Sequence, residues 1–102
     1  GLGGAVLLRA LEPLEGLDAM RERRRITKPA LLCAGPGRLA AALGITQSLD
    51  GAAMGSSTVT VRRGVPVAPQ DVVVSRRVGM TRAADWPLRF TLSGSSWLSR
   101  RP

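Results

Sequence analysis

The segment with the clearest chemical potential is Gly35-Pro36-Gly37-Arg38. Pro36 suits the first position of a helix, and the flanking glycines let backbone amides approach a ligand closely. Arg38 would follow in the first turn, where a cation is unfavourable unless an anion is present. The position of this cation suggests a phosphate-binding site, but from these residues alone a plain turn is the favoured interpretation of Gly35-Pro36-Gly37.

Other kinds of site are excluded by composition. The chain has no histidine and no tyrosine, which excludes a Ser/His triad, a Cys/His dyad and a histidine general base. The absence of histidine also excludes a His-containing metal site. Because Cys33 is the only cysteine, we expect no internal disulfide, and we interpret Cys33 as a small core residue. No acidic residue is singled out as a buried general base, and we expect structural or solvated roles for Glu12, Glu15, Asp18, Glu22, Asp50, Asp71 and Asp85.

The charge balance favours nucleic acid as a partner. Fifteen basic residues against seven acidic ones give a formal net charge of +8, an excess that binds polyanions through counterion release. Because nearly all of the basic residues are arginines, a GC-rich genome explains part of the excess equally well. Trp86 and Trp97 are able to stack on bases, but a core role is favoured for them. No apolar run is long enough to span a membrane, and no secretory signal is evident.

The spacing of apolar residues predicts an amphipathic helix over residues 14–24. Acidic residues early and arginines late in this helix complement its macrodipole. Asp18 with Arg21, and Glu22 with Arg25, have the spacing of helical ion pairs, so the arginine cluster is interpreted mainly as a solvated helix end.

Further elements indicate a single α+β domain, a mixed and mostly antiparallel curved sheet with flanking helices. A second helix is predicted over residues 36–43, ended by Gly44 in the left-handed conformation. Strands are predicted at Ala5–Leu8, Thr58–Val61, Asp71–Val74 and Leu88–Leu92. Residues 63–70 contain two prolines and are therefore a connection rather than a central strand.

Six segments together resemble one known family, the alkyladenine (3-methyladenine, methylpurine) DNA glycosylases. The resemblance begins with the run from Gly4 to Leu17, GAVLLRALEPLEGL, and covers the chain from residue 4 to about residue 99. The further segments follow in the family's order: Arg21–Arg25, Leu32–Leu39, Ala42–Ile45, Arg77–Gly79, and Asp85–Phe90 with Gly94–Ser99.

The resemblance implies a mechanism of base excision in duplex DNA. Members of the family flip an alkylated or deaminated purine out of the duplex and stack it between aromatic side chains. A Glu-activated water then hydrolyses the N-glycosidic bond, without a metal or other cofactor. By resemblance, Arg9 is the active-site arginine beside that water and carboxylate. The family's DNA-backbone contacts map to Gly35, Pro36, Gly37 and Arg38 and to Arg77 and Gly79.

The chain also departs from the family pattern. The general-base glutamate, the stacking tyrosines and histidine, the intercalating residue and the discriminating asparagine would precede Gly1. We therefore expect residues 1–102 to be the C-terminal half of a single glycosylase domain, inactive without its N-terminal half and monomeric when complete. The alternative is a non-catalytic, basic DNA-binding remnant. The resemblance places the protein in a bacterial cytoplasm, at the nucleoid, and the segment 80–87 differs in detail from the family.

Overall fold

Short helices and a two-stranded ribbon make up the regular structure. The computed structural model describes residues 4–53, 58–77 and 86–100. In these ranges the helices are α1 (Leu17–Arg24), α2 (Pro29–Leu32) and α3 (Pro36–Leu43), followed by short 3₁₀ turns at Gln47–Leu49 and Pro69–Asp71. The strands β1 (Val72–Ser75) and β2 (Arg89–Leu92) pair antiparallel. The predicted α+β class is confirmed, with a sheet of two strands in the part of the chain that is described.

Helix α3 has the bounds predicted from the sequence. Pro36 occupies its first turn, and Gly44 ends it with a φ of 68°, in the left-handed region. The Gly44 amide donates to carbonyls of the last helical turn, which would otherwise lack partners. Local residue types alone therefore set both ends of this helix.

Helix α1 is shorter than predicted at its N-terminal end. The sequence predicts a helix from residue 14, whereas α1 begins at Leu17 because Gly16 adopts a φ of 70°, outside the right-handed helical region. The helix ends at Arg24, and Arg25 turns the chain with a φ of 53°.

The arginine cluster at the end of α1 is only partly the solvated helix end that the sequence predicts, since Arg23 and Arg25 are exposed but Arg23 and Arg24 bind neighbouring helices. The predicted pair of Asp18 and Arg21 is present at 3.0 Å, whereas the predicted pair of Glu22 with Arg25 does not form. Arg23 donates to the Ala42 carbonyl of α3 at 2.7 Å, and Arg24 donates to the carbonyls of the last two residues of α2 at 3.1 and 3.2 Å. These guanidinium groups satisfy carbonyls at the C-terminal ends of two neighbouring helices, where positive charge is favourable. The cluster therefore holds the three helices together.

The three helices enclose a small core. Leu32 is 0% exposed and Cys33 1% exposed, and they pack with Met20, Leu39 and Ala42. The expected core role of Cys33 is confirmed. Burial raises the pKa of the Cys33 thiol, and the nearby Arg24 charge opposes this shift in part.

The β1–β2 ribbon confirms two of the four predicted strands. Val72 pairs with Leu92, and Ser75 pairs with Arg89 at the other end. The strands predicted at Ala5–Leu8 and Thr58–Val61 are wrong, since both segments are irregular. Their β-branched and apolar composition suits a strand, but strand formation depends on structural context more than on composition. None of the described helices has the length and apolarity needed to cross a membrane.

Candidate nucleic-acid interface

The N-terminus of α3 carries the main candidate site. Gly35, the cap residue, has a φ of 121° and provides no side-chain acceptor for the first helical amides. Pro36 has no amide hydrogen, so the amides of Gly37 and Arg38 are the donors that the first turn presents. A Cβ atom added at Gly37 would meet nothing within 4 Å, so the backbone there is open to an approaching ligand. The turn has the geometry and the dipole orientation of an anion site.

Arg38 adds positive charge to this turn. Its side chain is exposed, and its only protein acceptor in the described ranges is the Ala34 carbonyl, at a long 3.4 Å. A guanidinium group in the first turn of a helix is repelled by the positive end of the helix dipole. An anion bound at the turn would remove this repulsion, so the turn is able to accept a phosphate.

Arg9 lies beside the same turn. Ala10 forms an isolated antiparallel bridge with Ala34, and the amide of Leu11 donates to the Cys33 carbonyl at 3.2 Å. In an antiparallel pairing, the residue before Ala10 and the residue after Ala34 lie at the same end of the bridge. The bridge thus brings the segment of Arg9 next to Gly35, although Arg9 follows an irregular segment and not the strand predicted for residues 5–8.

Arg9 is half-buried and has no ion-pair or hydrogen-bond partner among residues 4–53, 58–77 and 86–100. A partly buried guanidinium group is stabilised by an anionic partner. The six acidic residues within these ranges are all exposed, and only Asp18 forms an ion pair, with Arg21. The described residues therefore place a cation at this site without an acidic partner.

A third segment reaches the α3 turn from the C-terminal side. A Cβ atom built at Gly35 would lie 3.9 Å from the Cβ and Oγ atoms of Ser99. Ser99 belongs to one of the segments that resemble the glycosylase family, but sequence reasoning assigned it no role. Its exposed hydroxyl is a further hydrogen-bond donor at the edge of the turn. Segment order alone does not reveal this proximity, because it depends on how residues 94–100 return to the helices.

The remaining predicted contact residues are not brought to this turn by any described interaction. Arg77 is half-buried just after β1, and Gly79 lies outside the described residues.

Trp86 is 58% exposed, so its expected core role is wrong, whereas Trp97 is half-buried. Arg89 is a buried charged residue that sequence reasoning missed, and it donates a hydrogen bond to the Arg100 carbonyl.

The site has the composition of an anion-binding surface, with glycine amides and arginines. In the described part of the chain, no group of three or more His, Cys, Asp or Glu residues could hold a metal ion. Two predicted features, Arg9 and the turn from Gly35 to Arg38, lie together at one end of the helical core. The chemistry available is the binding of phosphate or another anion by backbone amides and guanidinium groups.

Comparison with known proteins identifies the family. Residues 1–96 match the family described as methylpurine-DNA glycosylase. A protein of Methanoculleus marisnigri named as a 3-methyladenine DNA glycosylase is 48% identical over 99% of this chain and 54% of its own length. A protein of the same name from Nitrosospira multiformis is 49% identical, over 98% of this chain and 51% of its own length.

The match extends to the DNA-3-methyladenine glycosylase of Homo sapiens, which is 43% identical over 97% of this chain and 38% of its own length. The chain spans about half the length of the two microbial relatives and a smaller share of the human protein. The family match covers nearly all of the sequence, including the Arg9 segment and the α3 turn. The chain belongs to the methylpurine-DNA glycosylase family.

Proposed function

We propose that this chain supplies the C-terminal half of the domain of a base-excision DNA glycosylase. The enzyme hydrolyses the N-glycosidic bond of alkylated or deaminated purines, 3-methyladenine and hypoxanthine, after the damaged nucleotide is flipped out of duplex DNA. The observation that carries the proposal is the convergence of Arg9 with the amide-rich turn of α3 in a chain of this family. The formal net charge of +8 supports duplex DNA as the partner.

In this proposal the residues of the site have separate tasks. The turn from Gly35 to Arg38 binds backbone phosphates and sets the position of the DNA. These phosphate contacts carry no sequence information by themselves. Arg77 and Gly79 contribute further backbone contacts. Arg9 holds a catalytic carboxylate ionised and stabilises charge that develops as the bond breaks. No cofactor takes part, and the complete enzyme acts as a monomer at the nucleoid of a bacterial cytoplasm.

We propose that the catalytic carboxylate comes from the part of the glycosylase domain that this chain does not match in its relatives. Every described acidic residue of this chain is exposed, and none pairs with Arg9. A water near Arg9 would therefore lack a general base within the described part of the chain. We accordingly expect negligible base release by residues 1–102 alone.

Base release from duplex DNA tests the proposal. The substrate is an alkylated or inosine-containing duplex, and the proteins are this chain and a chimera in which it replaces the matching half of the Nitrosospira multiformis relative. Activity in the chimera, none in the chain alone, and a large loss with Arg9→Ala are expected. Arg63→Ala is the charge-matched control, since Arg63 is exposed in the connection before β1. Rapid base release by the 102-residue chain alone would contradict the proposal that the catalytic carboxylate lies outside this chain.

A second candidate function is a non-catalytic DNA-binding module, favoured by the absence of a carboxylate beside Arg9 in the described ranges. It predicts salt-sensitive duplex binding by this chain together with an inactive chimera. An active chimera whose activity depends on Arg9 would rule this alternative out.

A further inference from the structure

The β1–β2 ribbon has its apolar side chains on the open face. Directly paired residues of an antiparallel ribbon share one face, so the register places Val72, Val74, Phe90 and Leu92 together. All four are exposed, from 38% for Val72 to 64% for Phe90. We call these four residues the apolar ribbon face.

The opposite face of the ribbon is the covered one, and it is mostly polar. Val73, Ser75, Arg89 and Thr91 lie on it, and Arg89 is only 8% exposed. The Oγ atom of Ser75 and the Oγ1 atom of Thr91 are buried without a hydrogen-bond partner. A ribbon of a free-standing small domain normally buries its apolar face and solvates its polar one. The inverted arrangement indicates that the apolar ribbon face is built to be covered.

We propose that the apolar ribbon face docks against the part of a methylpurine-DNA glycosylase domain that this chain does not match in its relatives. Those relatives contain about as many residues again as the matched half, which is enough polypeptide to cover such a face. A second copy of this chain is a poorer occupant, because each copy has a formal net charge of +8 and two copies would repel. The inference rests on the proposed function and names the surface through which the two halves join.

Thiol labelling of introduced cysteines tests this docking directly. Val74→Cys places a thiol on the apolar ribbon face, and Ser93→Cys places one just after β2 at an exposed position as the matched control. The native Cys33 is 1% exposed and serves as an internal folding check, since it reacts only if the helical core opens. Each variant is made in this chain and in the chimera with the Nitrosospira multiformis relative, and labelling is followed by peptide mass spectrometry.

We expect Val74→Cys to be labelled at least about tenfold more slowly in the chimera than in the chain alone, with Ser93→Cys equally reactive in both. Phe90→Cys provides a second position if Val74→Cys exposes Cys33. Equal labelling of both face positions in chain and chimera would overturn the inference. So would concentration-dependent protection in the chain alone with a dimeric mass by sedimentation, which would assign the face to a second copy. Because labelling does not require base release, failure of the proposed activity remains distinguishable from failure of the docking.

Discussion

Replacing Arg38 by glutamine is the sharpest test of the α3 turn as a phosphate site. Arg38 is exposed, and its only described acceptor is the Ala34 carbonyl at 3.4 Å, so the fold depends little on its charge. Surface substitutions of this kind change stability by about 0.5 kcal/mol or less. A change in DNA affinity for Arg38→Gln therefore reports on the contact with DNA.

The size of the effect follows from counterion release. Each phosphate neutralised by a basic side chain contributes about 0.9 to the slope of log affinity against log salt concentration. Losing one phosphate contact should reduce the slope by about 0.9, which corresponds to about an eightfold loss of affinity at 0.1 M salt. The loss should be the same for every DNA sequence, because phosphate contacts carry no base information.

Fluorescence anisotropy of a labelled duplex over a salt series measures both quantities. Arg63→Gln removes the same charge from an exposed position in the connection before β1 and is the matched control. The unreactive thiol of Cys33, 1% exposed, verifies that each variant is folded. If Arg38→Gln and Arg63→Gln give the same slope and affinity, Gly35-Pro36-Gly37 is only a turn and the phosphate site is refuted.

Three further predictions concern the same helices. Gly37→Ala should weaken DNA binding while leaving stability equal or up to about 1 kcal/mol higher, because its Cβ atom meets nothing within 4 Å but would stand in the path of a phosphate. Leu32→Ala should lower the free energy of unfolding by about 2–5 kcal/mol, since Leu32 is fully buried. The raised pKa of Cys33 means that the folded state favours the neutral thiol, so its contribution to stability is present below the thiol's ordinary pKa of 9.0 and is lost as the pH rises through the folded pKa.

Controls for these predictions lie on the same elements. Leu31→Ala alters the neighbouring α2 residue, which is 40% exposed, so urea denaturation should show a much smaller loss than for Leu32→Ala. Equal losses would contradict the core assignment. For Cys33, denaturation at pH 7 and pH 10 should show a steeper loss in the native chain than in Cys33→Ala. Anisotropy with Gly37→Ala that matches the native chain would remove Gly37 from the interface.

Several elements were predictable because their causes are local. Pro36 and Gly44 restrict the backbone at their own positions, so both ends of α3 follow from residue type. The alternation of apolar and polar residues around Phe90 similarly predicts β2. The expected core position of Cys33 follows from the general behaviour of free cysteines.

Other expectations failed because they depended on distant residues. Ala5–Leu8 and Thr58–Val61 have strand-like composition but are irregular, because strand formation depends on tertiary context more than on composition. Arg23 and Arg24 look solvated on a helical projection, yet they bind carbonyls that α2 and α3 bring within reach. Composition does not show whether Trp86 is covered, and it proves to be largely exposed.

By itself, the sequence determined the family, the basic charge and the exclusion of histidine chemistry, since these depend only on which residues are present and in which order. Tertiary structure alone decided that Arg9 lies beside Gly35, and that the ribbon turns its apolar residues outward. Both facts depend on pairing between segments far apart in the chain, and on which face of each segment that packing leaves open. Pairing of distant segments depends on the cost of closing the loop between them and on whether their surfaces match. A local sequence pattern does not predict either of these properties.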